Sequence, residues 1–275
     1  MRRVALVVLA LACCVAWSQA QTADELIAHN IQAKGGMEKI SALKSLRIEG
    51  KFDGGGGFTA AVTEEYMRPN LYRSTFTLQG MTQVRAYDGA AGWQISPFGG
   101  HKDPELIGED GMHGLLISAD FDGPLVEYKA KGNTVEYLGH DTVDGDDALR
   151  LKVTLKNGDV MYYYLDPDTY LEIRVEKMQF IRGSVRESLT DFGSYKQVQG
   201  VYYPFSIETG SRQNPGDRTK ITIEKMDANV SIQSSTFRVP AAPAASSPQN
   251  HPEPAQPQKD KPETVKPPAE GGTEL

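Results

Sequence analysis

The sequence predicts a mainly β fold of the α+β class: a long antiparallel meander of about eleven strands, entered through a short helical region and interrupted once by a helical segment. Three observations predict it. Apolar and polar residues alternate with period two over much of the chain from Ser45 onward. Asp, Asn, Gly and Pro recur between the alternating runs, as short antiparallel connections require. One long stretch, 103–130, breaks the pattern.

Taken in order, Thr22 and Glu25 stand at capping-box spacing before Leu26, Ile27 and Ile31, which predicts a short amphipathic helix ended by Gly35-Gly36. Met37 to Leu43 reads as one further turn, with Ile40 and Leu43 inward. Leu46, Ile48 and Phe52 then alternate with Arg47, Glu49 and Lys51, a strand with one buried face. The clearest alternation is Leu149, Leu151, Val153 and Leu155 against Arg150, Lys152, Thr154 and Lys156. Asn157-Gly158 follows, a strong hairpin signal, and Val160 to Leu165 returns. Further strands are expected at 58–67, 71–79, 81–87, 92–96, 134–140, 170–179, 184–192, 201–209 and 219–226. A sheet this long twists and curls into a barrel or part-barrel with a concave interior. Leu106, Ile107, Met112, Leu115, Leu116 and Ile117 in the interruption suggest a helix or irregular lid over its mouth.

The two ends of the 275-residue chain differ from its middle. Arg2-Arg3, the apolar run from Val4 and Ser18-Gln19-Ala20 read as an export signal cleaved after Ala20. The run through Trp17 is too short to cross a bilayer core of about 30 Å as a helix. A competing reading makes Cys13 the lipidated N-terminus of an anchored form, although Ala10 stands where such signals usually carry Leu. Both cysteines, Cys13 and Cys14, fall in this leader, so a chain cleaved after Ala20 has no disulfide, thiolate nucleophile or Cys-ligated metal. Export without cysteine suits a bacterial periplasm. Half of the sixteen prolines lie in 241–275 among Ala, Gln, Lys and Glu, the composition of a disordered tail. The expected organisation is therefore a signal peptide at 1–20, one domain at 21–240 and a Pro-rich tail at 241–275.

Net charge is −7 with no basic cluster, which argues against a nucleic-acid partner and against an obligate anionic-membrane binder. The five histidines do not stand at metal-ligand spacing, so neither a metal nor a cofactor is expected. Asp144-Gly145-Asp146-Asp147 lacks the spacing of a calcium loop and reads as an acidic hairpin turn. Asp166-Pro167-Asp168-Thr169 is a turn between antiparallel strands, and Gly54 to Gly57 a flexible hairpin tip with no phosphate-loop lysine after it. No catalytic constellation emerges. Met161-Tyr162-Tyr163-Tyr164-Leu165 is largely apolar on both faces, so its second face needs shelter from a helix or a ligand.

One further pattern is more specific. Met67-Arg68-Pro69-Asn70-Leu71-Tyr72 resembles the Arg-Pro-Asn-Leu-aromatic element of the LolA family of periplasmic lipoprotein carriers. Tyr87-Asp88-Gly89, Trp93 and Pro97-Phe98 resemble that family's next element, with Ser96 in place of its usual Asn. The resemblance implies a curved antiparallel half-barrel with an inserted helical lid, enclosing an apolar cavity for the acyl chains of lipoproteins or similar lipid. It gives Arg68 the role of latching the lid by hydrogen bonds. Aromatic and methionine residues of the strands, with two lid leucines, then become candidate cavity residues: Met81, Tyr87, Trp93, Phe98, Leu115, Leu116, Tyr162, Tyr164 and Met178. A monomeric, non-enzymatic carrier acting toward the outer membrane follows, with inner- and outer-membrane sorting proteins as partners. The alternative is an envelope sensor or interaction module of the same fold that binds lipid or protein without transporting it.

Overall fold

A computed structural model describes residues 22–240 except 182, 212, 213 and 215. The leader, with Cys13 and the cleavage site, and the tail 241–275 lie outside the described residues.

Helix α1 (Ala23–Lys34) opens with the predicted capping box: Thr22 Oγ1 accepts from the Glu25 backbone N–H, and Glu25 accepts from that of Thr22. Helix α2 (Met37–Ala42) follows directly. Then come β1 (Ser45–Asp53), β2 (Thr59–Met67), β3 (Leu71–Leu78), β4 (Met81–Tyr87), β5 (Gly92–Ser96) and β6 (His101–Leu106). Helix α3 (Glu109–Ala119) and a turn-rich stretch lead to β7 (Thr134–Val143), β8 (Asp146–Thr154), β9 (Val160–Leu165), β10 (Glu172–Ile181) and β11 (Ser184–Gly193). The hairpin of β12 (Lys196–Val198) and β13 (Val201–Tyr203) precedes β14 (Ser206–Gly210) and β15 (Thr219–Ala228).

Thirteen strands form one antiparallel sheet in the order β6-β5-β4-β3-β2-β1-β15-β14-β11-β10-β9-β8-β7, and β12 and β13 pair by themselves. The meander is as expected, but the strands are more numerous than about eleven. β6 lies partly inside the stretch read as the lid; its Pro104 lacks a backbone donor, and the strand sits at the sheet edge where that lack is tolerated. The run 201–209 is two strands, interrupted at Pro204.

This order leaves β6 and β7 as the two edges, and the chain between them is the α3 segment. One face of the sheet receives the helices and is called the inner face here. α1 places Leu26 and Ile27 against Leu149, Leu151, Val153, Met161, Tyr163, Leu165 and Val175 of β8–β10. α3 places Leu115 and Ala119 against Tyr72 and Tyr87 of β3 and β4. α2 closes the sheet near β1 through Ile40, Leu43, Leu46 and Val201. Buried Asn30 locks α1 to the β9–β10 turn, its amide donating to the Tyr170 carbonyl at 2.8 Å.

The opposite, outer face is bound by charge ladders and small apolar clusters. Glu65 accepts from Arg47 on one side and Arg73 on the other. Asp191 is clamped between Arg174 and Arg218. At Gly50 the β1–β15 register shifts and the backbones close up: a Cβ there would stand 2.6 Å from the Thr222 carbonyl oxygen, so only glycine fits.

Candidate ligand-binding site

Inner-face residues follow from the pleat. Ile48 of β1, Val62 of β2, Phe76 of β3, Phe192 of β11, Ile207 of β14, and Ile221 and Ile223 of β15 converge on a cavity of about 370 Å³. No helix residue is in its lining. A second cavity, about 210 Å³, is bounded by Ile117, Leu125, Met161, Tyr163, Val175, Phe192 and Tyr195. The two share Lys177 and Phe192 as walls. A wider groove of about 620 Å³ runs along α3, between Pro69-Asn70 and Tyr87 on one limb and Leu155 to Asn157 on the other. It has Ile117 and Pro124 in common with the second cavity.

Arg68 sits where these spaces meet the helices. It follows β2, in an Arg68–Pro69 peptide that is cis, and four of its five guanidinium N–H donors are engaged. Nε donates to the Leu43 carbonyl at 2.6 Å and NH2 to the Ile40 carbonyl at 2.9 Å, taking up acceptors at the C-terminal end of α2. NH1 and NH2 also fork onto the two carboxylate oxygens of Asp122, each at 2.6 Å. Cζ lies 4.5 Å from the centre of the Phe121 ring. Phe121 and Asp122 belong to the chain just after α3, so one side chain ties β2, α2 and the lid exit together. The Asp122 hydrogen bond raises the Arg68 pKa.

Polar groups inside the half-barrel are mostly paired. Both oxygens of Glu64 accept from phenols, Tyr66 Oη and Tyr72 Oη, each at 2.9 Å. Burial first, and the Glu64 charge second, push both tyrosines well above the usual phenol range. Lys34 meets Glu172 at 3.2 Å. At the groove rim His113 contacts Asp159 at 3.0 Å, which Asn157 and Gln179 also reach.

The expected cavity residues divide between the two faces. Tyr87 is buried beneath α3 against Leu115 of that helix, and Tyr87 and Leu116 line the groove. Met81 and Phe98 are exposed at the ends of the hairpins, Phe98 packing edge-on against Phe76 with ring centres 6.1 Å apart. Trp93, Tyr162, Tyr164 and Met178 are on the outer face. Trp93 packs with Val84 and Ala86, and its Nε1 donates to the Phe237 carbonyl at 2.7 Å. Tyr164 and Tyr162 pack with Val143, Ala148 and Ile173, with Arg150 over the Tyr162 ring at 4.5 Å. Met178 borders an outer-face pocket with Tyr162. Period-two alternation is the reason: in 161–165 it is Met161, Tyr163 and Leu165 that turn inward. The shelter required for the tyrosines' second face comes from protein side chains, a detail the apolar run itself does not specify.

Sequence reasoning passed over Asp122, Glu64, Phe192 and Lys177. Ile207, Ile221 and Ile223 fell in predicted strands, but their convergence depends on β15 pairing with β1, which is far from it in the chain. Among the described residues no three His, Cys, Asp or Glu side chains are grouped to hold a metal, and no helix is long and apolar enough to cross a membrane.

No protein-family model matches the sequence, and no curated protein matches it. Solved structures do match in fold. A DUF1329 family protein from Desulfovibrio piger aligns over 78% of this chain and 96% of its own, at 13% identity and a TM-score of 0.55. An outer membrane lipoprotein-sorting protein domain from Vibrio parahaemolyticus aligns over 77% and 95%, at 14% identity and 0.54. A LolA superfamily protein from Nitrosomonas europaea aligns over 80% and 98%, at 11% identity and 0.54. The chain has the LolA-like fold, an open curved antiparallel sheet carrying few helices.

Proposed function

We propose that residues 21–240 form a periplasmic lipid carrier, exported by the leader 1–20, that takes the acyl chains of lipoproteins or similar lipid into the inner-face cavities for transfer toward the outer membrane. The observation that carries this reading is the wall of Ile48, Val62, Phe76, Ile207, Ile221 and Ile223, an apolar inner surface with no helix residue in the cavity it bounds. An apolar surface of this kind gains by enclosing a chain, at about 0.8 kcal/mol per CH₂ removed from water. The likeness in fold to a lipoprotein-sorting domain supports the reading.

Uptake and release need opposite properties. A chain wholly enclosed would be held by on the order of 10 kcal/mol gross, too tightly to hand on. The contacts of Arg68 with Asp122, Ile40 and Leu43 favour the closed arrangement of the lid exit, and a ligand that displaces this segment must break them. That cost offsets part of the burial energy and makes affinity adjustable. The activity is binding, with no bond made or broken.

Mass spectrometry of solvent extracts from protein purified without detergent tests the proposal. Acylated peptide or free lipid in near-stoichiometric amount is expected. Lipid-free protein that also leaves a fluorescent acyl probe unbound would overturn it.

A further inference from the structure

Lys177 is the one charged residue common to both inner-face cavities. It projects from β10 on the same face as Val175, and its cross-strand neighbours are Met161 on β9 and Ser188 on β11. Every other charged group around these cavities has a partner: Glu64 with Tyr66 and Tyr72, Glu172 with Lys34, Asp122 with Arg68. Thr190 and Thr209 across the cavity stand within 3.5 Å of each other. Among the described residues, no hydrogen bond or ion pair engages Lys177. Burial alone lowers its pKa, as expected for an ammonium with no compensating charge.

A lysine in this position costs stability that Met or Leu would not, because a half-buried ammonium with no partner among the described residues is poorly solvated. An anion brought in from outside removes the cost. From this placement we infer that Lys177 anchors the headgroup of a carboxylate-bearing amphiphile, a fatty acid whose chain lies along the wall of Ile48, Val62, Phe76, Ile221 and Ile223. A single carboxylate neutralises a single ammonium. A phosphate monoester, carrying about −1.5 to −2 at neutral pH, would leave surplus buried charge. An amide- or ester-linked acyl chain enters methyl end first and presents no charge to Lys177. This inference rests on the carrier reading above and narrows its ligand to a free acid.

Equilibrium dialysis of the delipidated full chain with palmitate, hexadecanol and hexadecyl phosphate tests it. The native protein is expected to hold palmitate at least about tenfold more tightly than either other probe. Lys177→Met should abolish that preference with hexadecanol binding unchanged, and Lys177→Arg should keep it; Lys177→Gln serves if the Met variant fails to fold. Equal palmitate binding by native protein and the Met or Gln variant overturns the anchor, as does tighter binding of hexadecyl phosphate than of palmitate. If hexadecanol binds as well as palmitate, the headgroup assignment alone fails. If no probe binds, the carrier reading fails with it.

Discussion

Arg68 and Asp122, fifty-four positions apart in the chain, meet in a parallel fork of two 2.6 Å hydrogen bonds. Two more of the arginine's donors go to the carbonyls of Ile40 and Leu43, so a single guanidinium joins a strand end, a helix end and the lid exit. Lysine keeps the charge but cannot reproduce the fork. Arg68→Lys should therefore cost about 1–3 kcal/mol, and Arg68→Leu about 3–5 kcal/mol by leaving Asp122 and two carbonyls unpaired. Denaturant unfolding measures both. Stopped-flow transfer of a fluorescent acyl probe should show faster exchange in Arg68→Lys; unchanged exchange would detach the latch from ligand traffic.

Gly92 lies directly beneath α3. A Cβ there would stand 2.5 Å from Leu115 Cδ2 and 2.5 Å from Met112 Sδ. Gly92→Val should lift the helix from β4 and β5, lowering stability by about 1–3 kcal/mol as overpacking does. Hydrogen exchange should accelerate at 109–119 and stay unchanged in β8–β10.

Trp93 fastens the C-terminal segment to the outer face through its bond to the Phe237 carbonyl. Trp93→Phe should cost about 1–3 kcal/mol, since it leaves that carbonyl unpaired and a small void. The native indole is shielded from solvent, so acyl-probe binding at the inner face should leave the Trp93 emission wavelength unmoved. A ligand-induced shift would place the site on the wrong side of the sheet.

Lys177 sets a pH dependence. Its folded-state pKa is lowered by burial, so the unfolded chain binds more protons between that value and the ordinary lysine value. Native stability should rise as pH rises through that window, and the cost should be fully present below it. The titratable groups that share a cavity lining with Lys177 are Glu64, Asp122, Glu172, Lys34, Tyr163 and Tyr195 on the inner face, and Arg150, Tyr162, Glu176 and Glu187 in the pocket it borders with Met178. Burial also raises the Tyr163 and Tyr195 pKa values above the usual phenol range, so both add a pH dependence of their own in alkali and the reading is the difference between native protein and Lys177→Met. The variant should melt a few degrees higher at neutral pH, with the gap closing in alkali; a lower melting point contradicts an unpaired buried charge.

Asp88 gives the opposite sign. Backbone N–H groups of Ala91 and Ala90 donate to its carboxylate and hold its pKa below the usual carboxylate value. Its contribution is present above the unfolded-state pKa and is lost as pH falls through the folded one. Asp88→Ala should cost about 1 kcal/mol at neutral pH and nothing once native Asp88 is protonated, as paired acid-unfolding curves will show.

Much of the fold was legible because its determinants are local. Thr22 and Glu25 cap α1 by chain spacing alone, Asn157-Gly158 turns β8 into β9, and alternation in 149–155 marks a half-buried strand. Charged residues at apolar parity were not legible. In β10, Val175 and Lys177 share a face, and neither parity of that strand reads as cleanly apolar. The aromatic run 162–164 showed that both faces of β9 are covered, whereas the register that sends Tyr163 inward and its neighbours outward depends on partners in β8 and β10.

The sequence by itself determined a meander of strands, a capped first helix, an interruption suited to a lid, and Arg68 as a residue with a motif around it. The first three follow from periodicity, turn chemistry and short spacing; the last rests on the resemblance of 67–72 to a family element. Only the tertiary structure decided which side of each strand faces the helices, that β15 closes against β1, and that Asp122 completes the Arg68 fork. It alone brought Lys177, with no partner among the described residues, into an interior walled by residues from six other strands. The physical reason is that pairing and burial are long-range properties: a side chain's partner is chosen by the register of distant strands, and a charge is costly or useful only by what surrounds it.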